Sequence, residues 1–292
     1  MIEKVYKTSC GEIHYWISED FKSDEATLVF LPGLTADHRL FEKQTEYFES
    51  KYNVLVWDAP AHASSWPFHM NFTLMDKANW LDQILAYENV LHPVFIGQSM
   101  GGYVSQMYME MFPGKVKGFV SIDSCPLQRK YMTWLEVKLL KIMEPVYRWY
   151  SWKKLLKVGS DGVATTEYGR KLMLDMMMHY DGNQDRYAKI AGHGYRILAE
   201  AVEANLPYEI NCPALLICGE EDKAGSAKRY NKAWHKKTGI PMEWIKGAGH
   251  NSNTDAPEIV NGLIRKFVDG LLLGSREKDQ FETKVTRKFE AI

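Results

Sequence analysis

The stretch HPVFIGQSMGGYVSQMYMEMF, residues 92–112, passes from a short apolar run into a segment of helical character, and the join reads Gly97-Gln98-Ser99-Met100-Gly101. An apolar run of this length that does not alternate with polar residues reads as a strand buried on both faces. A serine with glycine two positions away on each side, set where such a strand turns sharply into a helix, has its hydroxyl lifted above the sheet edge. The neighbours must be small because strand and helix nearly touch at that corner. Glycine and serine are common, so the bare spacing says little; the strand before and the helix after make it specific.

Runs of the same kind recur at ATLVFLPG from Ala26, YNVLVWDAP from Tyr52 and VKGFVSIDS from Val116. Helix-compatible segments separate them: RLFEKQTEYFES, FTLMDKANWLDQILAYENVL and YVSQMYMEMF. Strand alternating with helix predicts βαβ units and an α/β fold with a doubly wound, mostly parallel sheet. Two further runs, CPALLICGEED from Cys212 and PMEWIKGAGH from Pro241, resume the pattern around the helical SAKRYNKAWHKKTG. Between them and the earlier strands, residues 125–211 are rich in Trp, Tyr and Met at helical spacing, with no strand pattern. The expected organisation is an α/β core of residues 1–124 and 212–273, a helical cap insertion over 125–211, and a charged C-terminal extension over 274–292.

The 292 residues hold 36 Lys and Arg against 37 Asp and Glu, without the one-sided basic stripe that nucleic-acid binding needs. No apolar stretch approaches membrane-span length and the N-terminus has no apolar leader, so a cytoplasmic chain with no membrane span is expected. Cys10, Cys125, Cys212 and Cys218 are scattered without metal-ligand spacing and read as buried, reduced thiols.

A serine hydroxyl is a poor nucleophile until a base near pKa 7, itself oriented by a carboxylate, takes its proton. His250, in the glycine-containing loop of IKGAGHNSN after the last strand, is the expected base, ahead of His62, His38 and His193. Asp222, after the penultimate strand, is the expected acid and completes the order Ser, Asp, His. Asp123, after the strand that follows Ser99's, is the alternative, and Glu220 and Glu221 are expected in solvent. The backbone N–H groups of Met100, at the helix start, and of Leu34, after the strand end at Pro32-Gly33, are the expected oxyanion donors. Gly97 and Gly101 are the glycines of the turn.

On LPGL, GQSMGG, GEED and GAGH the chain resembles the α/β-hydrolase superfamily over roughly Leu28 to Leu272, especially its capped branch of esterases, haloperoxidase-like enzymes, lactonases and carbon–carbon hydrolases. The resemblance carries the nucleophile onto Ser99, the acid onto Asp222, the base onto His250 and the oxyanion donors onto Leu34 and Met100. Two positions depart from many relatives: Pro32 precedes Gly33 in place of histidine, and DAPAHASS has Ala61 and Ala63 where glycines stand. Serine at the turn sets haloalkane dehalogenation aside, since those relatives use aspartate there. What this implies is a serine hydrolase of small to medium apolar carboxylic esters, acting through an acyl-enzyme without metal or cofactor. The alternatives are a lactonase or carbon–carbon hydrolase using the same three residues, or a small-molecule receptor on the same fold.

Overall fold

The structure, a computed structural model, describes residues 1–22, 26–180 and 183–289, those beyond 273 as helix backbone only. In chain order the elements are β1 (Ile2–Lys7), β2 (Glu12–Ile17), β3 (Thr27–Leu31), α1 (Glu42–Phe48), β4 (Asn53–Trp57), α2 (Leu74–Tyr87), β5 (Val94–Gln98), α3 (Met100–Met111) and β6 (Gly118–Ile122). Five helices follow: α4 (Trp134–Lys141), α5 (Met143–Trp149), α6 (Trp152–Val163), α7 (Glu167–Met178) and α8 (Gln184–Ala204). The chain closes with β7 (Ala214–Gly219), α9 (Ala227–Thr238), β8 (Met242–Ile245), α10 (Ser252–Asp255) and α11 (Pro257–Phe289).

All eight strands form one sheet in the order β1-β2-β4-β3-β5-β6-β7-β8. Its pairs from β4 to β8 are parallel. Every residue of β3, β4, β5 and β6 is buried, which is why their sequences are apolar without alternation. The chain leaves β3 for β4 on one side and returns to β5 on the other. The loops after β3 and β5 therefore diverge at their carboxyl ends and open a crevice there. Leu34 and Ser99 stand on those two loops.

The N-terminal hairpin was not expected from the sequence. β1 and β2 pair antiparallel, and β2 joins β4 antiparallel, extending the sheet by two strands. In β2, Ile13, Tyr15 and Ile17 point to the core while Glu12, His14 and Trp16 face outward. β1 is an edge strand whose Ile2 and Val5 are exposed, so its apolar residues do not mark its inner face.

Among the described residues of 125–211 there is no strand. The stretch from Met132 to Trp152 forms α4 and α5 and opens α6, and side-chain caps explain the divisions. Thr133 and Glu136 form a capping box at α4, and Ser151, Thr166 and Asn183 cap α6, α7 and α8. The charged segment 274–292 continues α11 as far as Phe289; its side chains and residues 290–292 lie outside the described residues. Cys125 and Cys218 are buried, while Cys10 and Cys212 are only half-buried, and all four thiols are free. Among the described residues no helix is long and apolar enough to cross a membrane.

Candidate active site

Ser99 joins β5 to α3 with φ 47° and ψ −114°, a backbone conformation that costs an L-residue energy and persists only when the surroundings impose it. The imposition is visible. The Ser99 N–H donates to the Ile122 carbonyl of β6 at 2.9 Å, and the Gly102 N–H donates to the Ser99 carbonyl at 3.0 Å. A Cβ on Gly101 would lie 1.8 Å from the Leu31 carbonyl oxygen, and one on Gly97 would lie 2.5 Å from the Gly102 nitrogen. Only glycine fits either position.

His250 lies between β8 and α10, its imidazole almost out of solvent. Its Nε2 is 2.9 Å from Ser99 Oγ and its Nδ1 is 3.0 Å from Asp222 Oδ2. A carboxylate only accepts, so Nδ1 carries the proton and Nε2 presents its lone pair to the serine hydroxyl. Asp222 is buried in the turn after β7, and its Oδ1 accepts from the Ala224 N–H at 2.7 Å, which fixes the carboxylate plane. Burial opposes the imidazolium. The hydrogen bond and charge of Asp222, with the charge of Asp123 behind them, outweigh burial and raise the His250 pKa above its ordinary value.

Asp123 does not reach the histidine ring. Its carboxylate is spent on two backbone amides, Gly219 N–H at 2.7 Å and Ser252 N–H at 2.9 Å, and burial pushes its pKa up to about 7. It thereby ties the loops of Asp222 and His250 together. Gln98 does the same from the other side, donating from Nε2 to the His250 carbonyl at 2.8 Å and to Asn251 Oδ1 at 3.1 Å. Asp255 receives the Gly249 N–H at 2.8 Å and the backbone N–H groups of Thr165 and Thr166, pinning the turn between α6 and α7 to the His250 loop. Sequence reasoning passed over Gln98 and Asp255, because the only sign of either is a polar residue beside a motif.

The other expected candidates lie elsewhere. His62 Nδ1 pairs with the Pro60 carbonyl at 3.0 Å, and His193 Nε2 with the Phe72 carbonyl at 3.0 Å. Burial holds both imidazoles near a pKa of about 3. His38 Nδ1 bonds Asp58 at 2.9 Å and its ring stacks on Trp16. Glu220 and Glu221 are exposed. Asp37, His38 and Asp58 bring three metal-type ligands together. Their carboxylates are already engaged, Asp37 by Arg39 and Asp58 by His38 and Ser64, so the group reads as loop scaffolding. In that loop Ala61 and Ala63 take φ 72° and 37°, so the left-handed backbone persists where alanine replaces glycine.

Ser99 and His250 open onto two cavities. The larger, about 430 Å³, runs under α4 and α8 and is walled chiefly by Leu139, Leu140, Met132, Met143, Leu198 and Tyr103. The smaller, about 240 Å³, extends beneath α5 and α6 past Tyr147, Leu155 and Gly162. Leu34 borders both and Met100 the larger. Among the described residues neither the Leu34 nor the Met100 N–H has a hydrogen-bond partner. Among the described residues no lysine or arginine lines either cavity.

An (E)-2-((N-methylformamido)methylene)succinate hydrolase of Acinetobacter baylyi is 24% identical over 281 residues, 92% of this chain and 99% of the relative. Among solved structures, a thermophilic esterase from Thermogutta terrifontis superposes with a TM-score of 0.73 at 18% identity, covering 92% of this chain and 98% of its own. Est816, described as an N-acyl homoserine lactone degrading enzyme, gives 0.70 at 18% identity, covering 90% of this chain and all of its own. The sequence model of the alpha/beta hydrolase fold matches residues 26–257, from the first buried strand through the His250 loop. On that match and on the sheet and the strand-to-helix turn at Ser99 described above, the chain belongs to the alpha/beta hydrolase fold family.

Proposed function

We propose that the protein hydrolyses small to medium, uncharged carboxylic esters through an acyl-enzyme on Ser99. Ser99 Oγ attacks the carbonyl, His250 Nε2 takes its proton and returns it to the departing alcohol, and Asp222 holds the imidazole in the required tautomer. The N–H groups of Leu34 and Met100, unpartnered at the mouth of the crevice, stabilise the oxyanion, a contribution on the order of 3 kcal/mol for each such donor. Water, activated by the same histidine, then releases the acid.

The observation that carries this reading is the hydrogen-bonded run Asp222–His250–Ser99, at 3.0 and 2.9 Å, ending on a strained serine between two cavities. Helices α4–α8 act as the cap that encloses them. The Acinetobacter baylyi relative is named for a dicarboxylate, and a dicarboxylate calls for cationic partners. Among the described residues no lysine or arginine lines the cavities, and Glu136, which borders the larger one, is held ionised with a pKa of about 2 and already takes Arg229 as its partner at 2.7 Å. Burial works against that ionisation, and hydrogen bonds from Tyr230, Thr133 and Ser226 outweigh it. Uncharged substrates therefore fit best.

The test is a fluorophosphonate label located by peptide mass spectrometry, followed by a panel of aryl esters, lactones and vinylogous succinates. Labelling of Ser99 that disappears in His250→Ala, with ester turnover exceeding the others, is the expected result. Ser99→Ala should lower turnover by roughly 10⁴-fold or more. A folded protein that takes no label, or that prefers the succinates, would show the reading to be wrong.

A further inference from the structure

Sixteen large apolar side chains are exposed among the described residues, and seven of them fall between Trp134 and Val158. Leu135 and Leu139 lie four apart on α4 and Val146 and Trp149 three apart on α5, with Ile142 exposed at the join between the two helices. Both α4 and α5 pack against α8, and α5 has no buried residue at all. Trp134 is 61% exposed and Trp149 88%. Single exposed apolar residues are ordinary, whereas a run of them with two open indoles marks an interaction surface.

The charge on this stretch separates the possible partners. Residues 134–158 hold six lysines and arginines against two glutamates, in a chain whose net charge is −1. Both glutamates are neutralised, Glu136 by Arg229 at 2.7 Å and Glu144 by Arg148 at 2.9 Å. Lys141 pairs with Glu203. Lys138, Lys153, Lys154 and Lys157 are exposed and have no ion pair among the described residues, so the uncompensated charge on α4–α6 is four lysines against Asp161 of α6. The Lys138 and Lys154 ammonium groups lie over the Trp134 and Tyr150 rings at 4.7 and 4.6 Å, which sets cation and aromatic at one level. A second copy docked through this face would bring like charges together. Exposed indoles with lysines around an apolar stripe are what the boundary of an anionic bilayer accommodates: the rings sit among the headgroups and the ammoniums meet the phosphates.

We infer that the outer face of α4–α6 docks on an anionic lipid surface, with Trp134 and Trp149 inserted at headgroup depth and Lys153, Lys154 and Lys157 against lipid phosphates. This binding is independent of the chemistry assigned to Ser99. If both hold, the roof of the larger cavity, at Leu139 and Leu140, faces the lipid from which apolar esters partition.

The test uses the full chain and unilamellar vesicles of phosphatidylcholine alone or mixed equally with phosphatidylglycerol. Sedimentation of the protein with the mixed vesicles at low salt is expected, with at least about tenfold weaker binding to phosphatidylcholine and release by added salt. Combining Lys153→Glu, Lys154→Glu and Lys157→Glu should weaken binding at least about tenfold, and Trp149→Ser should weaken it and reduce the blue shift of indole emission on binding, leaving the part that Trp134 reports. All four positions are exposed, so the melting temperature and Ser99 labelling should not move. Failure of the unaltered protein to sediment with anionic vesicles, or binding unchanged in the triple variant, overturns the inference. So does a dimer in analytical ultracentrifugation that Trp149→Ser dissolves while no vesicle binding occurs, which would give the face to a second copy.

Discussion

His250 stands in two opposing fields, and their balance predicts its pH behaviour. Burial lowers the imidazole pKa, the hydrogen bond and charge of Asp222 raise it, and the raising effects win. The proposed mechanism needs the neutral ring, so kcat/KM should fall as pH drops through a pKa above 6.5, which a pH–rate profile on an uncharged ester reads directly. Asp222→Asn removes the charge and disturbs the tautomer while burial remains. The acid limb should shift below its unaltered position and kcat should fall by about 10⁴-fold. Asp123→Asn is the control that separates the two acids. Its carboxylate serves two backbone amides and an amide side chain serves only one, so melting should suffer by about 1–3 kcal/mol while the acid limb largely remains. Gly101→Ala tests the elbow itself. A methyl 1.8 Å from the Leu31 carbonyl forces strand and helix apart, so both melting temperature and fluorophosphonate labelling should drop.

At the level of elements, the smaller cavity offers a cleaner probe of specificity than the elbow does. Gly162 lines it from α6, and a Cβ built there meets nothing within 4 Å. Gly162→Leu should therefore fold, gaining up to about 1 kcal/mol of helix propensity, while its side chain fills part of the 240 Å³. Esters with a bulky group on that side should lose kcat/KM by about tenfold or more, and acetate esters of small alcohols should keep theirs; a uniform loss across the panel would place the substrate elsewhere. The parallel strands were legible because burial on both faces leaves an unbroken apolar run, as in Thr27–Leu31 and Val94–Gln98. The β1–β2 hairpin was not, because β1 lies at the edge, with its apolar Ile2 and Val5 exposed on opposite faces and its Lys4 tied to Glu88 at 2.7 Å. Ser99, His250 and Asp222 each follow a strand end, which is a local signal. That Asp123 turns to backbone amides and away from the imidazole depends on how three loops meet, and no spacing in the chain encodes it.

Across the whole molecule, a buried basic group joins the sheet side to the helical insertion. Lys77 of α2 is 1% exposed, without an ion pair among the described residues, and its Nζ lies 5.6 Å from the Phe72 ring centroid. Phe72 in turn packs against His193 of α8, and the charge of Lys77 depresses both His193 and His62. Burial alone lowers the Lys77 pKa from 10.5 to about 7. Between those values the unfolded chain binds a proton that the folded chain does not, so this group's cost to stability is nearly complete at pH 7 and fades as pH climbs toward 10.5. Lys77→Met keeps the volume and removes the charge. It should raise stability at pH 7 by on the order of a few kcal/mol, and the gain should vanish near pH 10.5. His62 and His193 act at the other end: held near 3 when folded and 6.5 when unfolded, they withdraw stability as pH falls through 6.5. Without the neighbouring ammonium both folded pKa values should rise, so the Lys77→Met protein should also resist acid better. Denaturant titrations of both proteins at pH 5, 7 and 10 check this, and a gain that is absent at pH 7 or equal at all three would mean that Lys77 is folded around a compensating partner.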